Sequence, residues 1–89
     1  MADILICDDD VTFQLATKLV LSRQGGHRCI TAKNTDEAWA ILRKQKIDIL
    51  LLDIEMRTPD EGLQFLPRVR ELDADLPIIM TSGHTDFES

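Results

Sequence analysis

The chain has no apolar run approaching the ~20 residues that a membrane-spanning helix needs. Met1 leads straight into a short strand-like run, with no basic and then apolar secretory leader. A membrane partner is therefore not expected, and the cytoplasm is the expected location. Positive charge is scarce: 10 Lys and Arg stand against 16 Asp and Glu, a net charge of -6. That balance repels nucleic acid and anionic lipid and makes cations the natural guests. Cysteine is limited to Cys7 and Cys29, which make neither a Cys-x-x-Cys pair nor a zinc pattern, so both read as buried free thiols. The two histidines, His27 and His84, also lack a second His or Cys at metal-ligand spacing. No repeat, low-complexity tract or Gly/Ser linker interrupts the sequence. At 89 residues and 44% hydrophobic, it reads as one soluble globular domain, 1–89. A domain of this size buries only about 60–65% of its unfolded surface, so marginal stability is expected.

What the chain does have is an alternation of short apolar runs with segments of helical period. Ile4 to Cys7 is apolar and is closed by Asp8, Asp9 and Asp10. Val11 to Gln24 carries Leu15, Ala16, Leu19 and Val20 at helical spacing until Gly25-Gly26 stops it. Arg28 to Ala32 reads as a second strand. Asn34 with Glu37 three residues later resembles an N-cap arrangement, opening a helix with Ala38, Ile41, Leu42 and Gln45 on one stripe. Trp39, beside that stripe, reads as partial helix packing. Ile47 to Leu52 is almost continuously aliphatic, as suits a central parallel strand buried on both faces. Leu63 to Leu72 sets Phe65, Leu66, Val69 and Leu72 on one helical face, although Pro67 must kink that helix or restrict its start. Pro77 then introduces Ile78, Ile79 and Met80 as a fourth strand. Four strands joined by right-handed helical crossovers make an open parallel α/β sheet.

In such a sheet the functional crevice lies outside the carboxyl ends of the strands. Asp8, Asp9 and Asp10 close the first strand, Asp53 the third, and Thr81 and Ser82 the fourth. Neighbouring parallel strands lie ~4.8 Å apart, so these groups should converge. Clustered carboxylates repel one another unless a cation neutralises them. All-oxygen ligation by one or two carboxylates, with carbonyl and water completing the shell, is the preference of Mg²⁺. With charge offset in this way, one carboxylate can act as a nucleophile toward phosphorus while a neighbouring hydroxyl bonds the phosphoryl oxygens. A single acid at a strand end is commonly just a solvated loop position. Three after one strand and one behind Ile-Leu-Leu-Leu are hard to explain by solubility alone.

Four blocks, in order, resemble the response-regulator receiver domain of two-component signalling. They are Ile-Leu-Ile-Cys-Asp-Asp-Asp at 4–10, Leu-Leu-Leu-Asp-Ile-Glu-Met at 50–56, Gly-Leu-Gln-Phe-Leu at 62–66 and Pro-Ile-Ile-Met-Thr-Ser-Gly-His at 77–84, with Asp9 and Asp53 44 residues apart. The resemblance implies a flavodoxin-like open sheet of order 2-1-3-4. It also implies that Asp53 is the phosphoacceptor, that Asp9 ligates Mg²⁺ directly, and that Asp8 holds the metal partly through water. Glu55 would offer its backbone carbonyl, Ser82 would be the switch hydroxyl, and Gly83 the small residue beside the phosphoryl group. Asp10 would lie outside the metal's inner ligands. Glu55 and His84 match positions where receivers vary the lifetime of the phosphoryl group. The expected partner is a histidine kinase or a phosphotransfer protein, and the chain is expected to be a phosphoacceptor signalling domain, not an enzyme beyond its own autophosphorylation and autodephosphorylation.

The sequence departs from the family in two places. The family usually has Pro directly after the Met of Asp-x-x-Met; here Arg57 follows Met56, Pro59 comes later, and one extra residue precedes Gly62. A complete receiver continues through a fourth helix, a fifth strand with a Lys whose cation contacts the phosphoryl group, and a fifth helix. Lys33, after the second strand, lies on the wrong side of the first strand to replace that Lys. On this reading the domain is truncated before the fifth strand, and self-association through the exposed edge of the fourth is expected. Two alternatives compete. Asp8-Asp9-Asp10-Val11-Thr12 also resembles the Asp-x-Asp-x-Thr of haloacid-dehalogenase phosphatases, with Asp8 as nucleophile, Asp10 as general acid and Thr81 or Ser82 as second motif. That reading leaves Asp53 unexplained. The other alternative is a protein-binding module that works without phosphorylation.

Overall fold

Each described strand is only four or five residues long, and each connection between successive strands carries a helix, which turns the chain back to run every strand the same way. The computed structural model describes residues 1–53 and 60–81. Its elements are β1 (Asp3–Cys7), α1 (Val11–Gly25), β2 (Arg28–Ala32), α2 (Thr35–Lys44), β3 (Ile49–Asp53), α3 (Glu61–Leu72) and β4 (Ile78–Thr81). The strands form one parallel sheet of order β2-β1-β3-β4, the flavodoxin-like order that the receiver resemblance implies. The order reverses between β1 and β3, so the crevice opens at the carboxyl ends of those two strands.

Local chemistry explains the helix ends. Asp10 caps α1 by accepting the Phe13 N–H at 3.2 Å, and Gly26, at φ 65°, closes it by donating to the Ser22 carbonyl at 3.1 Å. Gly25 belongs to the last turn rather than ending the helix, and a Cβ there would collide with the His27 ring. His27 is half-buried, and its Nδ1 accepts the Ala2 N–H at 3.0 Å. Asn34 caps α2 through the Glu37 N–H at 2.8 Å, while Glu37 reaches back to the Lys33 N–H at 2.9 Å. Gln45 falls just outside α2 as its C-cap. α3 starts at Glu61, two residues before its apolar periodicity, and runs through Pro67. β3 begins at Ile49, where pairing with Ile4 begins, and Ile47 is buried ahead of the strand.

The two faces of the sheet are covered differently. Leu5, Cys7, Leu50 and Leu52 pack against Ala38 of α2 and Phe65 and Val69 of α3. Ile4, Ile6 and Cys29 form a smaller cluster with Leu21 of α1. Both thiols are free and buried. Trp39 meets Phe65 edge-to-face with ring centroids 6.2 Å apart, and the Arg68 guanidinium lies 4.4 Å from the Trp39 ring centre. Leu15, Leu19 and Val20, whose helical spacing marks α1 in the sequence, lie outward at 61, 55 and 53% exposure. The buried residue of α1 is Gln14, whose side-chain amide donates to the carbonyls of Asp8 and Ala32 and so sets which side of the helix meets the sheet.

Candidate phosphoacceptor and cation site

Cys7 and Leu52 are register partners in β1 and β3, so the residues that follow them, Asp8 and Asp53, emerge level with each other at the crevice. Asp53 is the last residue of β3 and pairs with Thr81 of β4. Asp8 extends the β1–β2 ladder by one step, its N–H donating to the Ala32 carbonyl at 3.0 Å, and its Oδ1 accepts the Asp10 N–H at 2.9 Å. Gln14 adds its donation to the Asp8 carbonyl. Backbone and side-chain bonds therefore fix Asp8 before any ligand arrives.

The carboxylate oxygens of Asp8, Asp9 and Asp53 lie within 4.8 Å of one another. Asp8 and Asp53 are buried, at 1 and 0% exposure, and Asp9 is exposed. Asp10, next in sequence, is absent from this group because its carboxylate is the α1 cap. Ser82, Glu55, Gly83, His84 and Arg57 lie outside the described residues. The donor set consists of hard anionic oxygens alone, which fits a hard divalent cation such as Mg²⁺ and not a soft thiophilic metal. A cation here would also offset the repulsion among three like charges.

Cys7 reports burial at this end of the sheet and, after it, the same negative charge. Its thiol is pushed up from 9.0 to about 12, first by burial and then by the carboxylates of Glu61, Asp8, Asp53 and Glu37. At neutral pH it is a protonated, inert core residue.

Sequence reasoning passed over three residues around this site. Gln14 reads in the sequence as an ordinary polar helix position, yet it is 7% exposed and bonded at the crevice. Thr35 and Glu61 also went unremarked. Glu61 Oε2 accepts from the Thr35 hydroxyl at 2.9 Å and from the Thr35 N–H at 3.3 Å, joining the first turns of α2 and α3. An acid in the first turn of α3 was the only local signal, and it does not name a partner 26 residues away.

Comparison with known proteins points the same way. The family model for the response regulator receiver domain matches residues 4–89. The chain is 35% identical over 86 residues to the transcriptional regulatory protein AfsQ1 of Streptomyces coelicolor, covering 97% of this chain and 37% of that protein. Among solved structures it resembles NtrX of Brucella abortus in complex with ATP, with a TM-score of 0.85 and 33% identity over 98% of this chain and 20% of that one. It also resembles a chain in the complex of histidine kinase ThkA with response regulator protein TrrA, with a TM-score of 0.84 and 29% identity over 100% of this chain and 75% of that one. The chain thus spans well under half the length of the curated relatives it matches. The haloacid-dehalogenase alternative loses its general acid to the α1 cap and finds no support in these matches. With its sheet order, its acidic crevice and a family match over nearly its whole length, the chain belongs to the response regulator receiver domain family.

Proposed function

We propose that this chain accepts a phosphoryl group on Asp53 from the phosphohistidine of a histidine kinase or a phosphotransfer protein, in the cytoplasm, and signals by a conformational switch. The observation that carries this reading is the convergence of Asp8, Asp9 and Asp53 within 4.8 Å at the strand-order reversal of the sheet. Asp9, Asp8, Asp53 and the Glu55 backbone carbonyl would hold Mg²⁺, and Ser82 would bond the phosphoryl oxygens. Bound there, Mg²⁺ supplies charge neutralisation for the acids and the phosphoryl oxygens. The chain's own contribution is placement. β3 holds the Asp53 carboxylate at the crevice mouth, and the bonds to Asp8 hold the neighbouring carboxylate still. The solved complex of a histidine kinase with a response regulator supports a kinase as partner. Self-association through the β4 edge also fits, because β4 pairs only with β3 among the described strands and its Ile79 is 52% exposed.

Incubation with acetyl phosphate and Mg²⁺ should yield an alkali-labile acyl phosphate on the wild-type chain and none on Asp53→Asn. Labelling that persists in Asp53→Asn would remove Asp53 as acceptor. Addition of beryllofluoride, which mimics an acyl phosphate, should change the protein's spectrum only with Mg²⁺ present. No response to it would favour a binding module that works without phosphorylation.

A further inference from the structure

The seam between α2 and α3 sets one aromatic ring against two cations. Trp39 is half-buried, packs on the larger core and meets Phe65 edge-to-face. Arg68 of α3 lies 4.4 Å from its ring centre, and Arg43, one turn further along α2, lies 6.0 Å from it. Both arginines are exposed, and among the described residues neither forms an ion pair or a hydrogen bond. Acids are not scarce, since the chain holds 16 Asp and Glu. Glu71, one turn beyond Arg68 on α3, stands at a spacing where ion pairs form, yet the guanidinium reaches across the seam to the indole.

A guanidinium held over a ring spends none of its N–H donors on the contact, and its planar fork still matches a carboxylate bidentately. The ring also limits where the charged heads travel, so less freedom is lost when an anion binds. The surroundings give the site a direction. On the α2 side, Ala40, Arg43 and the exposed Lys44 border an open groove of about 290 Å³ that no acid lines. On the α3 side, the groove of about 190 Å³ beside Arg68 includes Glu61, whose carboxylate repels an anion. The net charge of -6 works against a long polyanion, which leaves a short run of acidic side chains as the partner that fits.

We propose that Arg43 and Arg68, held over Trp39 and flanked by Lys44, form a docking site for an acidic segment of a partner protein. Carboxylate side chains of that segment take the free guanidinium donors, and its chain follows the Lys44 side of α2. The site is independent of the reading of Asp53 as phosphoacceptor, and its test needs neither Mg²⁺ nor a phosphoryl donor.

The probe is hexaglutamate, titrated into the intact chain at low salt and followed by calorimetry and by emission of Trp39, the only tryptophan. Wild type should show saturable binding that weakens as salt is added. Arg43→Gln and Arg68→Gln should each weaken it about fivefold, the upper end for an exposed ion pair. Arg68→Lys keeps the charge without the planar fork and should fall between Arg68→Gln and wild type. Lys18→Gln, which removes an exposed cation on α1, should bind like wild type. Absence of saturable binding by wild type would overturn the proposal, as would arginine variants that bind like wild type or an equal loss in Lys18→Gln. Two further probes separate the sources of the anion. Inorganic phosphate that competes as well as hexaglutamate would make this a site for a small free anion. A short single strand of DNA that binds more tightly, with the same dependence on Arg43 and Arg68, would make it a nucleic-acid site. Either result would overturn an acidic protein segment as the partner.

Discussion

The two ends of the sheet use the same residue type in opposite ways. At the amino end, the carboxylate of Asp3 receives Arg28 Nε and a terminal guanidinium nitrogen at 3.0 and 3.1 Å, and Asp48 accepts the Asp3 N–H at 2.8 Å. At the carboxyl end, Asp8, Asp9 and Asp53 are drawn within 4.8 Å of one another, two of them buried. The first arrangement pairs each acid with a donor and ties β1 to its neighbours. The second gathers like charge out of water, which works against folding and persists where function requires it. An aspartate's meaning in this chain is set by which end of the sheet it occupies.

The largest test of that contrast uses the Cys7 thiol at the carboxyl end. Its pKa is raised from 9.0 to about 12 in the folded protein, so the folded state holds the proton more tightly than the unfolded chain. That contribution is fully present below pH 9 and is lost as pH rises toward 12, an effect of about 4 kcal/mol at the upper limit. Urea midpoints between pH 8 and 11 should therefore fall steeply for wild type and less so for Cys7→Ala. Equal slopes would show that burial and the negative field at this end together do not raise the thiol.

Exchanging charge for amide at each end should then give changes of opposite sign. In Mg²⁺-free buffer, Asp53→Asn relieves like-charge repulsion and should raise stability by about 1 kcal/mol. It should also lose the rise in Tm that Mg²⁺ gives the wild-type chain. Asp48→Ala removes the acceptor for the Asp3 N–H and should lower stability by about 1 kcal/mol without altering Mg²⁺ binding. If both substitutions destabilise alike, the two ends do not differ as described. The smallest effect belongs to Arg28→Ala. Its side chain is 64% exposed, so loss of the pair with Asp3 should change stability by less than about 1 kcal/mol, and that difference should shrink with added salt.

Much of the fold was legible because it follows from near neighbours. Arg28–Ala32 and the Asn34 cap appear in the structure as the sequence suggests, since a short strand-like run after a glycine turn and a cap three residues from its partner are local signals. The Leu15, Leu19 and Val20 stripe located α1 but not its roll, because helical spacing shows that residues share a face without showing which face meets the sheet. Bonds from Gln14 to Asp8 and Ala32 made that choice. At the site, Asp8, Asp9 and Asp53 could be named from strand ends and family blocks. Thr35 and Glu61 could not, because neither carries a motif and their bond spans 26 residues.

The sequence by itself determined the order of strands and helices, the alternation that makes the sheet parallel, and the placing of acids where strands end. These depend on periodicity, caps and turns within a few residues. The tertiary structure alone decided that Asp8, Asp9 and Asp53 meet while Asp10 is spent on a helix cap, how α1 is rolled on the sheet, and that a buried Glu61 joins α3 to α2. Those outcomes depend on distances between segments remote in the chain, which are fixed only when the sheet and its two helical layers pack together.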